Sequence, residues 1–201
     1  MTTPDGNDAK AALHRYLQTQ REALVWKVAG LTEREARWPR TPTGTNLLGL
    51  VKHAAANEIG YFGETFGRDW PDPGEVAWIQ EIETDANADL YAKADESTDD
   101  VVDLYRRVWE FADETITTLP LDAVGRVPWW PADQAEVTLH GVLVHMTVEL
   151  ARHAGHADIL RELHDRSAGL SQRHSNLPDI GEDGWSAYTA KLRGIAEQFP
   201  G

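Results

Sequence analysis

The sequence predicts an all-α protein built as a four-helix bundle, and two observations predict it. Four long stretches repeat apolar residues at helical spacing, and no stretch sustains the period-two alternation that a half-buried strand needs. At 201 residues the chain is expected to form one domain, since a single core typically serves roughly 100 to 200 residues. The bundle is placed at about residues 8–165, and residues 166–201 are read as a tail.

The first helix follows Asp8, a cap candidate, and runs through "AKAALHRYLQTQREALVWKVAG" to Gly30. The second starts near Thr45 in "TNLLGLVKHAAANEIGYFGETFG" and stops at Gly67. "STDDVVDLYRRVWEFADETITTL" is the third, with Ser97 or Thr98 as cap and Pro120 as terminator. The fourth begins near Thr138 and contains "LVHMTVELARHAGHADILREL". Beyond a polar, Gly-rich segment, "GWSAYTAKLRGIAEQF" forms a short amphipathic tail helix. Residues 68 to 96 make a long crossover holding Trp70 and Trp78, and the connection before the fourth helix carries Trp129 and Trp130 between prolines. Trp-rich loops of this length either cover a core or line a pocket mouth.

The formal net charge is -14, from 33 acidic against 19 basic residues, so the mean field repels phosphate backbones and anionic lipid. No nucleic-acid partner is expected. The absence of cysteine removes disulfides, thiolate metal sites and any cysteine nucleophile. A thiol reaction would need an imported thiol. The polar start "MTTPDGNDAK" has no signal-peptide pattern, and no apolar run reaches the roughly 18 residues of a membrane span. A cytoplasmic protein without membrane contact is expected.

On a helical wheel, Leu139, Val142, Leu143, Met146, Leu150, Ala157 and Leu160 define the apolar arc of the fourth helix. His153 falls within roughly 20° of the arc's centre and Glu149 within roughly 60°, so both should face the bundle. His145 and His156 lie about 80 to 100° round on the Glu149 side, and His140 about 120° away on the other. A carboxylate facing a core needs a partner: a hydrogen bond to His153 one turn on, an Arg, or a metal ion. A metal site requires a third ligand from another helix. His53, the one His on the second helix, is the candidate, although it sits more than about 100° from the middle of that helix's apolar face. Its wheel neighbours Gly49, Ala56, Asn57 and Gly60 are small or polar, which permits a close helix approach or leaves room for a ligand. Glu58, nearly central on the apolar face, reads as a buried hydrogen-bonding group, and the core reading is preferred for Asn57 as well.

"PTGTNLLGLVKHAAANE" followed by "VLVHMTVELARHAGHADILRE" resembles the DinB-like superfamily, in its branch near the mycothiol-dependent enzymes, over roughly residues 10 to 165. The resemblance implies a four-helix bundle carrying a divalent metal at one end. The implied ligands are His53, Glu149 and His153. Many members have a His where Glu149 stands, so the set here is similar to the His, Glu, His set of mycothiol-dependent maleylpyruvate isomerase. That enzyme has a further C-terminal domain, whereas this chain has a short tail, so the isomerase reaction is not the expectation. Two imidazoles and a carboxylate suit zinc, with nickel, iron or manganese as alternatives.

The expected activity is metal-dependent S-transfer from a low-molecular-weight thiol such as mycothiol to a small electrophilic substrate. His156 is the candidate catalytic residue, as a hydrogen-bond donor behind the ligands or a proton shuttle, with a plain surface or packing His as the alternative. Metal-dependent hydrolysis, a non-catalytic metal-binding stress protein and a purely structural bundle are the rival functions. Bundles of the resembled family often dimerise, so a homodimer is a candidate assembly.

Overall fold

The computed structural model describes residues 9–200, and its helices confirm the all-α class. Asp8, the expected first cap, lies outside the described residues. Helix α1 (Ala9–Trp26) ends four residues before the predicted Gly30. The chain tightens there into i→i+3 hydrogen bonds from Lys27, Val28 and Ala29, and Gly30 takes a φ of 74°. A short helix the periodicity did not predict, α2 (Glu33–Arg37), is nucleated by a capping box between Thr32 and Glu35.

The second long pattern becomes α3 (Leu47–Glu58), capped by Asn46, whose side chain accepts from the Gly49 N–H at 2.7 Å. The pattern does reach Gly67, but its last third is not α-helix. A π turn (Ile59–Gly63) and a 3-10 turn (Glu64–Phe66) follow, with Gly67 left-handed at φ 72°. Helix α4 (Thr98–Thr118) starts from the Ser97–Asp100 capping box, resolving the choice of cap in favour of Ser97. The connection before the fourth helix was expected to be loop. Instead it pairs β1 (Val124–Arg126) with β2 (Glu136–Thr138), antiparallel, Gly125 opposite Val137. Strands this short leave no alternation to detect. Helix α5 (Leu139–Asp165) begins where predicted, with Thr138 as its cap, and stops at Arg166, φ 66°.

Helix α1 packs along α5, and α3 lies between α4 and α5. The core is aliphatic and aromatic: Leu17, Leu24, Leu48, Val51, Phe62, Tyr105, Ile116, Leu143, Met146 and Leu150 are all essentially inaccessible. Through this core runs one charged network. The Arg21 guanidinium donates to Glu58 and Asp113, and the Tyr105 hydroxyl donates to the Glu58 carboxylate at 2.8 Å. Burial opposes the Arg21 charge, but Glu58 and Asp113 overcome it and hold the group more firmly protonated than usual. Glu58 is therefore a core residue, as preferred from the sequence.

The crossover's Trp78 is buried under the Lys52 ammonium, itself paired with Glu96 at 2.7 Å, and Trp70 stacks edge-on against Phe111. These two tryptophans cover the core. Arg161 of α5 donates to the carbonyls of Lys27 and Ala29, satisfying the frayed end of α1. The tail helix α6 (Gly181–Ala196) has no buried residue. Among the described residues no helix is long and apolar enough to cross a membrane.

Candidate metal centre

Helices α3 and α5 run antiparallel, and two ring contacts set their register. The His53 and His153 rings lie 4.8 Å apart between centroids, and those of Tyr61 and His145 lie 4.7 Å apart. Going forward along α3 thus means going backward along α5. Near the start of this seam, His53, Glu149 and His153 come together, each offering a ligand-type atom within 4.8 Å of the others.

The wheel had left His53 on a flank because α3 has two packed sides. Its aliphatic side faces the core, while His53, on the other side, meets His153 of α5. The small Gly60 that shares the His53 flank serves a loop rather than α5. A Cβ on Gly60 would lie 2.6 Å from the Trp129 ring, so glycine is what lets the indole sit flush there. Trp130 donates its indole N–H to the Tyr61 hydroxyl at 3.2 Å and stacks against His145. The paired tryptophans thus wall one end of the seam, and Trp130, like Trp70 of the crossover, also packs against the core.

The three clustered side chains are half-buried rather than sealed, with exposures of 20% for His53, 13% for His153 and 31% for Glu149. Glu149 Oε1 lies 2.9 Å from His153 Nε2, the i,i+4 contact expected of a structural pair. That pair does not satisfy the whole ring. His153 Nδ1 is buried and has no hydrogen-bond partner among the described residues. Burial first, then the neighbouring His53, hold the His153 imidazole below its ordinary pKa, against the upward pull of Glu149. A neutral ring is the form that donates a lone pair to a cation.

His53 has a partner at each ring nitrogen: Asp89 Oδ2 at 2.6 Å from Nδ1 and the Asn57 amide nitrogen at 2.9 Å from Nε2. Asp89 was missed from sequence. It stands in the middle of the crossover, where no periodicity or spacing marks a residue as a partner of one on α3.

Beside the cluster opens a cavity of about 420 Å³. Thr43 and Asn46 ahead of α3, Asn87 and Tyr91 of the crossover, and His153 and His156 of α5 help to line it. Apart from the imidazoles, these groups are neutral hydrogen-bonding side chains. His156 is exposed, with its ring 5.7 Å from that of His153. His145 is half-buried among aromatic rings and His140 is exposed on α5, neither joining the cluster.

Fold and cluster together define a class: a DinB-like helical bundle with a His, Glu, His constellation between two antiparallel helices. The sequence profile of the mycothiol-S-transferases (MST) matches residues 12–166, the whole bundle. The chain belongs to that family. No curated protein matches it.

Proposed function

We propose that this protein is a metal-dependent S-transferase in which His53, Glu149 and His153 hold one divalent cation, zinc by the chemistry of the donor set. Three ligand-type atoms within 4.8 Å of one another, at the edge of an open cavity, carry this reading. The residues fit a cation: two imidazoles and one carboxylate are suitable donors, and the buried Nδ1 of His153 has no hydrogen-bond partner among the described residues. When bound, the cation lowers the pKa of a thiol brought to it, so that the sulfur is presented as thiolate.

The chain's own residues do the rest. The Thr43 hydroxyl and the Asn87 amide orient the thiol's polar body in the cavity. His156, on the cavity side of His153, receives the proton released by the thiol and passes it to solvent. The sulfur then forms its bond to the electrophilic carbon of a small substrate, and the displaced group leaves with the electron pair. The thiol is a low-molecular-weight one of the mycothiol type, which the family's description supports. The chain's acidity disfavours nucleic acid as a partner. We propose further that residues 1–201 form one domain, cytoplasmic and able to pair as a homodimer.

Metal content of purified wild-type protein, Glu149→Ala and His153→Ala, with folding checked by circular dichroism, tests the site. One ion per chain in the wild type and loss in both variants is expected; metal retained by a folded variant removes that ligand. The same samples assayed with an electrophile test the chemistry. Turnover that requires added thiol supports transfer, turnover without thiol supports hydrolysis, and metal without either supports a binding protein.

A further inference from the structure

The geometry points to Asp89 as a positioning residue for the metal centre: its carboxylate fixes the ring orientation and tautomer of His53, so that Nε2 carries the lone pair. The inference rests on the metal reading above and goes beyond it, because Asp89 is not a ligand of the cluster. Its carboxylate is 10% exposed, and His53 is the partner the structure gives it among the described residues. A carboxylate accepts and does not donate, so at 2.6 Å it accepts a hydrogen bond from Nδ1–H. The Asn57 amide nitrogen at 2.9 Å from Nε2 agrees, since an NH2 group donates and needs a lone pair opposite it. Both contacts fit one tautomer, with the proton on Nδ1 and the lone pair on Nε2.

The placement of Asp89 is built, not incidental. Gly49, in the first turn of α3, lies so close to the crossover that a Cβ would stand 1.9 Å from the Leu90 carbonyl oxygen. Asn46 clamps the same spot, donating to that carbonyl at 3.1 Å while its Oδ1 caps the Gly49 N–H. Within the crossover, Asp85 accepts from the Asn87 N–H and the Tyr91 hydroxyl, closing a turn around Asp89. The start of α3 therefore holds the Asp89 carboxylate beside the residue of α3 it serves. His153 has no equivalent, its Nδ1 being unpartnered among the described residues. The two imidazoles of the cluster are thus unequal, and Asp89 acts through His53 alone. A carboxylate behind a ligating imidazole raises its basicity and holds its ring, and losing it typically weakens metal binding about 10- to 100-fold.

The test measures zinc affinity by chelator competition for wild-type protein, Asp89→Ala, Asp89→Asn and Lys93→Met, and reads the His53 tautomer by nitrogen NMR in the zinc-free proteins. Asp89→Ala is expected to weaken zinc about 10- to 100-fold and to release the Nδ1 proton to exchange between both nitrogens. Asp89→Asn keeps an acceptor oxygen without the charge and should lose less. Lys93→Met removes the crossover's Lys93–Glu81 ion pair without touching His53 or the turn that holds Asp89, and should bind zinc as the wild type does. Unchanged affinity in Asp89→Ala, or an equal loss in Lys93→Met, overturns the inference while leaving the metal site standing. A wild-type protein that takes up no zinc brings down the metal reading, and the inference with it.

Discussion

At the scale of single residues, two buried carboxylates with opposite origins matter most. Glu58 looked from its wheel position like a buried hydrogen-bonding group, and it is one, held by Arg21 and Tyr105 with no accessible surface. Removing one charge leaves the other stranded, so Arg21→Ala should cost about 3 to 5 kcal/mol in urea unfolding. The double variant Arg21→Met with Glu58→Leu should cost far less, because no orphan charge remains. Asp113, at the network's edge, adds a pH dependence. Burial raises its carboxyl pKa, but His14 and Arg21 more than reverse this and leave it below its ordinary value. A depressed carboxyl stabilises the fold above its unfolded value, about 3.9, and that contribution disappears as the pH falls through the lower folded value. The stability gap between wild type and Asp113→Asn should therefore close in acid; a gap that persists unchanged in acid would contradict the assignment. Asp89, by contrast, had no local mark, because its importance comes from a contact with His53, distant along the chain.

At the scale of elements, the helices were readable because each cap and stop is local. Asn46, Ser97, Thr138 and Gly67 each act on backbone groups within a few residues. The π turn after Glu58 and the β1–β2 hairpin were not readable, since both arise where the chain packs against something remote. Gly125, in β1, would clash with the Thr65 carbonyl of the turn after α3 if it carried a Cβ, which ties the two irregular features together. Gly49 is the element-scale test. Gly49→Ala places a methyl group on the Leu90 carbonyl, so the crossover must move. A loss of about 1 to 3 kcal/mol and weakened zinc binding are expected together, from thermal unfolding and chelator competition. Full retention of both would show that α3 and the crossover are not locked at this position.

At the scale of the whole molecule, the family match and the buried core end at about the same place. The mycothiol-S-transferase match covers residues 12–166, and α6 contributes no buried residue. The segment just beyond α5 is anchored: Lys27 pairs with Asp158 and donates to the Gly169 carbonyl, and the Gly169 N–H donates to Asp158. A chain ending at Pro178 keeps those contacts and loses α6. It should therefore unfold cooperatively within a few degrees of the full chain and retain its metal stoichiometry. A collapse of either would show that α6 belongs to the folding unit.

Alone, the sequence determined the helical periods, their caps, the acidic surface and, through the four-residue spacing of Glu149 and His153, one side of the cluster. These properties are local or additive, so reading along the chain captures them. Tertiary packing decided which flank of α3 meets α5, that Asp89 stands behind His53, and that Trp129 and Trp130 wall the seam. A hydrophobic period records that a face is buried, not what lies against it, and α3 buries two.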